Sequence, residues 1–302
     1  MLYHYSSLEY VKKLHRLVED FVTGAVDPLQ MFEGPRKGTA VLTRHHIDND
    51  RPYEQWAANS LPILHSLQTL LAGRVTLRAS DEFDSTYVGA TLRGLDEYAM
   101  DFATKLENVR YEAAISIISR CAYRIDLTLN SHAQAGWSDF AFASEFRDFA
   151  AERPKIQRFK VNIDNPVETG AVPRRTGVYI SADDPNAALQ FAWKGPNPCA
   201  LRPAMTFNEI GRHALARVGR NKLWFDMDAM LSFATTVEYR DKFEDGITFD
   251  GRLEPELAPA AVALEAFTQQ PSRWHFVEII GEDWEDSRLT FLDESQRGAG
   301  PE

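Results

Sequence analysis

Cysteine is scarce: two residues, Cys121 and Cys199, in a chain of 302. They lie far apart, and neither has a CxxC neighbour, so a disulfide framework and a structural zinc site are both disfavoured. Long apolar runs are missing too, which excludes a helical membrane span by hydropathy. The opening MLYHYSSLEYVKKLHRL has no basic leader, no uninterrupted apolar stretch and no small-residue cleavage site. It does not read as a secretory signal, and a cytoplasmic location is expected. Also absent are a GxSxG elbow, a GxxxxGK[ST] phosphate loop, an HExxH pair and a DxDxDG loop. No cofactor is therefore expected.

What is present describes a folded chain. Apolar residues make up 44% and charged residues 25%, enough to build a real core. The net charge is −11, which opposes phosphate binding, so neither nucleic acid nor membrane is expected as a partner. The charge is uneven. Residues 151–225 hold 12 Lys and Arg against 6 Asp and Glu, whereas residues 226–302 hold 6 against 18. An acidic face would steer a basic partner. The plainer alternative is that the two segments neutralise each other in the fold.

The first half reads as helical. Leu8, Val11, Leu14, Leu17, Val18 and Phe21 recur at helical spacing, with Ser6 or Ser7 as cap and Gly24 as stop. Residues 25–55 are rich in loop signals. Residues 58–73 form a second helix ending at a glycine, and Arg74–Ala79 a short strand. Leu92–Leu129 keeps a helical period with no proline. Its stripes are Leu95, Ala99, Phe102, Leu106 and Ala113, Ile117, Cys121, Ile125. A short helix covers 139–150.

After Glu152-Arg153-Pro154 the texture changes to strands, at Lys155–Ile163, Thr176–Ser181, Ala188–Trp193, Lys222–Phe225, Arg273–Ile280 and Leu289–Leu292. Helices interrupt them. One starts at Thr206, with Glu209 completing a capping box and Gly219 as stop. Another is capped by Asp226, with Met230, Phe233, Ala234 and Val237 on one face. A third runs from Pro259 to Phe267. The expected class is α+β: a helical region over 1–152, then a mixed, largely antiparallel sheet with helices over 153–302, packed as one unit.

Arg44-His45-His46-Ile47-Asp48-Asn49-Asp50 is the most metal-like cluster, with His45, His46, Asp48 and Asp50 as ligands for a metal-dependent hydrolase. It stands alone in a loop, however, and metal sites draw ligands from separate elements. Asp183 and Asp184 are adjacent in an extended context. Neighbours on a strand point to opposite faces, so the pair is poorly placed for joint acid–base work. DDPN has better turn chemistry: Asp caps the backbone, Pro fixes φ and Asn accepts left-handed geometry. Cys121 falls in an apolar stripe and reads as structural. Cys199 sits near Lys194 and Arg202, a setting that would lower a thiol pKa. His213 and His275 read as satisfied structural histidines. RPKIQRFK, residues 153–160, reads as a strand with one basic face, its partner the chain's own acidic C-terminal part. In EDWED, Glu282, Asp283, Glu285 and Asp286 surround Trp284. That is either a protein-binding tip with an aromatic anchor or an exposed turn.

TGVYISADDPNAALQFAWKG, TFNEIGRHALARVGR and LWFDMDAM together resemble the C-terminal block of immunity proteins of bacterial polymorphic toxin and type VI secretion (Rhs-type) systems. The likeness covers about a fifth of the chain. The loop GPNPCALRP departs from that pattern, which has glycine there. The resemblance implies a non-enzymatic protein that binds and neutralises a cognate toxin by occlusion, with a basic nuclease-like effector as the fitting partner. No family site residue carries over. Partner contacts are expected at Glu282, Asp283, Trp284, Glu285 and Asp286. The rival classes are the metal-dependent hydrolase and a small-molecule-binding scaffold.

Overall fold

Helices fill the N-terminal part, and an antiparallel sheet with further helices follows, an α+β arrangement. The computed structural model describes residues 1–26, 52–95, 103–129, 136–152 and 155–286. The strand expected at Leu289–Leu292 lies outside them, as does the stripe from Ala99 to Phe102. Contacts divide the chain into two compact units, the first holding residues 2–135 and the second mainly 136–194 and 198–302. The division falls earlier than the boundary expected after Glu152. The reason is the helix Asp139–Glu152: its Asp139 accepts the Trp224 indole N–H at 2.7 Å and pairs with Arg220 at 2.6 Å.

In the first unit, α1 (Leu2–Tyr5) leads into α2 (Leu8–Val26). Ser7 caps α2 by accepting the Tyr10 N–H at 3.2 Å. The apolar stripe Val11, Leu14, Val18, Phe21 is buried, as its spacing predicts. Gly24 does not end the helix, and Gly73 does not end α3 (Pro52–Ala79), which also absorbs the strand expected at Arg74–Ala79. A glycine inside a helix costs only about 1 kcal/mol, and Leu64, Leu67 and Leu71 are fully buried on the same element. After α4 (Val88–Arg93), α5 (Lys105–Thr128) begins with a capping box between Thr104 and Glu107. Its buried stripe is Ile118, Cys121, Ala122 and Ile125. Ile117, expected inward, is exposed, one position off the stripe.

The second unit opens with α6 (Asp139–Glu152). A four-stranded antiparallel sheet follows, with strand order β1 (Lys155–Glu168), β8 (Arg273–Asp286), β2 (Gly177–Ser181), β3 (Gln190–Ala192). Val161, Val277, Val178 and Phe191 form one row across all four strands. The adjacent row, Asn162, Phe276, Tyr179 and Gln190, faces the other side, where Tyr179, Trp274, Leu201 and Ala204 make a core. Residues of opposite charge are register partners across β1 and β8: Lys160 stands opposite Glu278, and Glu168 opposite Arg273. The basic strand is thus paired with the chain's own acidic C-terminal part, as its composition suggests. Two register shifts interrupt β1, at Gln157/Phe159 and at Asn162/Val167.

A second core is helical. It joins α7 (Glu209–Val218), α8 (Met227–Ala234), α9 (Arg240–Ile247) and α10 (Ala258–Glu265) around Met230, Phe233, Phe243 and Val262. The strands β4 (Ala204–Phe207) and β7 (Phe267–Gln270) pair beside it. Asn208, not Thr206, caps α7, accepting the Gly211 N–H at 3.1 Å; Thr206 lies in β4. Gly219 ends α7 at φ 84° and Asp226 caps α8, both as the sequence predicts. Val237 is outside the apolar face, fully exposed. Lys222–Phe225 is a helical turn rather than a strand. Leu223 N–H bonds back to the Gly219 carbonyl and Asp226 N–H to that of Lys222, so no extended run forms. Trp224 sits there at φ 71°, its ring against Phe140, Phe207 and Phe267.

Candidate functional site

The two adjacent aspartates diverge within the turn that follows β2. Ser181 at the end of β2 accepts the N–H groups of both Asp183 and Asp184, which turns the chain. Asp184 Oδ1 accepts the Asn186 N–H at 2.8 Å, and its Oδ2 accepts the Thr206 hydroxyl at 2.5 Å. Asp183 turns the other way. It accepts the Arg273 backbone N–H at 2.8 Å, together with the guanidinium Nε at 3.0 Å and Nη2 at 2.5 Å. The DDPN segment is therefore a hairpin connection between β2 and β3. Its carboxylates bind that connection to β4 and β8. These bonds supply a structural role, and each carboxylate is engaged with a different partner.

The Arg273 bonds hold the Asp183 carboxyl well below the usual carboxylate range, at about 2. A depressed folded pKa contributes stability above the unfolded value, near 4, and loses it as pH falls through the folded value. The stability difference between the wild type and Asp183→Asn should thus be constant above about pH 5 and shrink between about pH 4 and pH 2. Urea titrations across that range measure it. A gap that persists at acid pH would mean that packing, not charge, carries the contribution.

The other sequence candidates separate in space or in kind. The cluster His45, His46, Asp48, Asp50 lies outside the described residues. Among the described residues no group of three or more His, Cys, Asp or Glu is placed to hold a metal ion. Cys121 is buried, as its stripe predicts. The Cys199 thiol is pushed up by burial, which outweighs the opposing Arg202 charge. His213 Nδ1 meets the Tyr239 hydroxyl at 2.6 Å, a satisfied histidine. His275 is not one: its Nδ1 is buried without a hydrogen-bond partner, in the sheet row beside Ile180.

Glu282, Asp283, Trp284, Glu285 and Asp286 are not a turn. They continue β8, and Trp284, Glu285 and Asp286 stand opposite Gln157, Ile156 and Lys155. The reason is the length of β1, which runs far enough to pair with them. Next to this acidic end the sheet exposes apolar side chains. Phe159 and Val161 on β1 are 45% and 40% accessible, Ile163 is 69%, and Ile279, opposite Phe159, is 38%.

A second feature escaped the sequence reading. β5 (Thr248–Phe249) and β6 (Arg252–Leu253) form a hairpin closed by Asp250 and Gly251, at φ 49° and 74°. Asp-Gly with two positive φ values is the turn whose twist suits a two-residue hairpin, and the DG dipeptide was the available signal. The hairpin walls a groove of about 630 Å³ with α8 and α9. Leu231, Ile247 and Leu253 supply its apolar lining, and Asp228, Arg240 and Glu244 its charges. Phe249 projects from the same hairpin with 70% of its surface exposed.

Comparison with protein-family models, curated proteins and solved structures finds no match to this chain.

Proposed function

We propose that this chain is a binding protein that acts by occlusion: an immunity protein that holds a cognate antibacterial toxin in a stable, non-catalytic complex in the cytoplasm of the producing cell. The observation that carries this reading is the exposed apolar strip of Phe159, Val161 and Ile163 on β1 and Ile279 on β8, the strand that goes on into Glu282–Asp286. Contiguous exposed apolar surface marks protein contact rather than solvent contact. Acidic residues at its end would speed encounter with a basic partner, and the apolar strip would hold it. The block from Thr176 to Phe233 that resembles immunity proteins lends the specific class. Its DDP turn and the α7 and α8 caps give that block its shape, not its contacts.

Co-expression with the protein encoded beside it tests the class. The expected result is rescue of an otherwise toxic neighbour; a harmless neighbour that fails to bind would sink it. Placement of the contact is tested separately. Reversing the charge of Glu282, Asp283, Glu285 and Asp286 together should slow association with that neighbour by about tenfold or more at low salt. Ile163→Asp should act mainly on dissociation. Unchanged rates in both variants would move the contact elsewhere.

A further inference from the structure

We infer that the open edge of β1 takes up one extended segment of the partner protein as a fifth strand of the sheet, with an acidic side chain opposite Lys160 and apolar side chains opposite Phe159 and Val161. This deepens the reading above, on which it rests for the existence of a protein partner, by naming the form in which the partner's chain is held. β1 ends the strand order, and β8 is its one ladder partner among the described residues. In an antiparallel ladder every second residue turns its N–H and C=O away from the neighbouring strand. The register is regular from Phe159 to Asn162. Among the described residues, Lys160, Val161 and Asn162 find no backbone hydrogen bond outside that ladder. Residues 158–161 are all exposed, so the outward groups meet solvent. A further extended chain carries donors and acceptors at the same repeat and matches them. The opposite edge offers nothing comparable, since β3 is three residues long and wholly buried.

The side chains of β1 set the pattern of that segment. Val161 begins the row that runs through Val277 and Val178 to Phe191, and an apolar residue on the new strand would extend it. Lys160 faces the other side. Its register partner Glu278 is held by Arg175 at 2.8 Å, and Lys160 has no ion-pair partner among the described residues. An acidic residue directly across from it would supply one.

The same pattern turns away a second copy of this chain. A two-fold axis between antiparallel copies keeps each side chain on its own face, so it must pass through a residue. Centred on Arg158, Phe159 or Lys160, it sets Arg158 and Lys160 against themselves or each other, and like charges directly opposite repel. Centred on Val161 or Asn162, it needs Ile163 and Asp164, which lie past the register break.

The test uses the full chain and a short fluorescein-labelled peptide in which valine alternates with threonine and a central glutamate. Saturable binding is expected. Methylating one alternate set of the peptide's amide nitrogens should weaken binding about tenfold or more, and methylating the other set should leave it within about twofold, because only one set faces β1. Lys160→Glu should weaken binding about threefold or more, and a peptide with lysine in place of glutamate should restore it. Lys160 is at the surface, so thermal unfolding should stay close to wild type. The methylated pair is read on the wild-type chain and does not depend on that variant. Equal effects of the two methylated sets, binding untouched by Lys160→Glu, or no saturable binding would overturn the proposal. So would a dimer, seen by sedimentation, that the peptide disperses, since the edge would then belong to a second copy. The peptide assay needs no toxin, so its failure removes the edge contact alone; failure of the co-expression test removes the class.

Discussion

Asp126→Ala is expected to destabilise the helical unit by about 4 kcal/mol, the largest single effect outside the apolar core. Asp126 lies on α5, buried, and serves three donors from the segment before α4. It accepts the Thr86 N–H at 2.7 Å, the Thr86 hydroxyl at 2.6 Å and the Ser85 hydroxyl at 3.1 Å. Ser85 and Thr86 are themselves buried, so truncation strands three donors away from water. Each stranded donor costs about 1–3 kcal/mol, and the segment can relax only in part. Asp126→Asn keeps one acceptor oxygen and should cost roughly half as much. Denaturant unfolding measures both: the midpoint falls while the slope stays constant. An Ala variant within about 1 kcal/mol of wild type would show that water replaces the carboxylate.

Gly211→Ala is the second large effect, and its sign is opposite to helix propensity. Alanine is the better helix former by about 1 kcal/mol. On α7, however, a Cβ at position 211 would lie 2.3 Å from the Ala266 carbonyl oxygen and 2.6 Å from Phe207 Cδ1. The first of these is backbone, fixed by the Asn208 N–H at 3.0 Å and lying between α10 and β7. It cannot swing aside. Overpacking against it should cost about 3 kcal/mol, or roughly a 10 °C fall in the melting temperature of this unit. Gly73→Ala is the matched control. Nothing lies within 4 Å of its Cβ position, so there propensity alone should act and raise stability by about 0.5–1 kcal/mol.

These two glycines show where the sequence was legible and where it was not. Periodicity found α2, α7 and α8 because burial follows the stripe when one face of a helix meets a core. Caps were readable where a side chain serves its own helix, as at Ser7 and Asp226, and where a glycine of positive φ ends one, as at Gly219. Thr206 misled because two signals overlapped. The T-x-x-E pattern is local, whereas the pairing of β4 with β7 is long-range, and it leaves the hydroxyl for Asp184. Gly24 and Gly73 are stops only by propensity, a weak term against a buried leucine face. Trp224 sat in the run Lys-Leu-Trp-Phe, which lacks strand alternation, and tertiary ring contacts kept it in a turn. The site was less legible than the fold. Asp228, Glu244 and Leu253 come from three elements, and no sequence spacing brings them together. The DG turn was the one local clue to their meeting.

The interruption in β1 between Asn162 and Val167 has a bearing on how this protein behaves when concentrated. Five residues of β1 span the distance that two of β8 cover from Phe276 to Trp274. Asn165 within the bulge is left-handed, at φ 56°, and Pro166 has no N–H to offer. An outermost strand with exposed Phe159, Val161 and Ile163 is otherwise a template for stacking one molecule on the next. The break takes Ile163 out of the regular ladder, and Arg158 and Lys160 interrupt the apolar run before it as gatekeepers. The same irregularity that spoils the ladder thus works against edge-to-edge stacking of an oily outer strand.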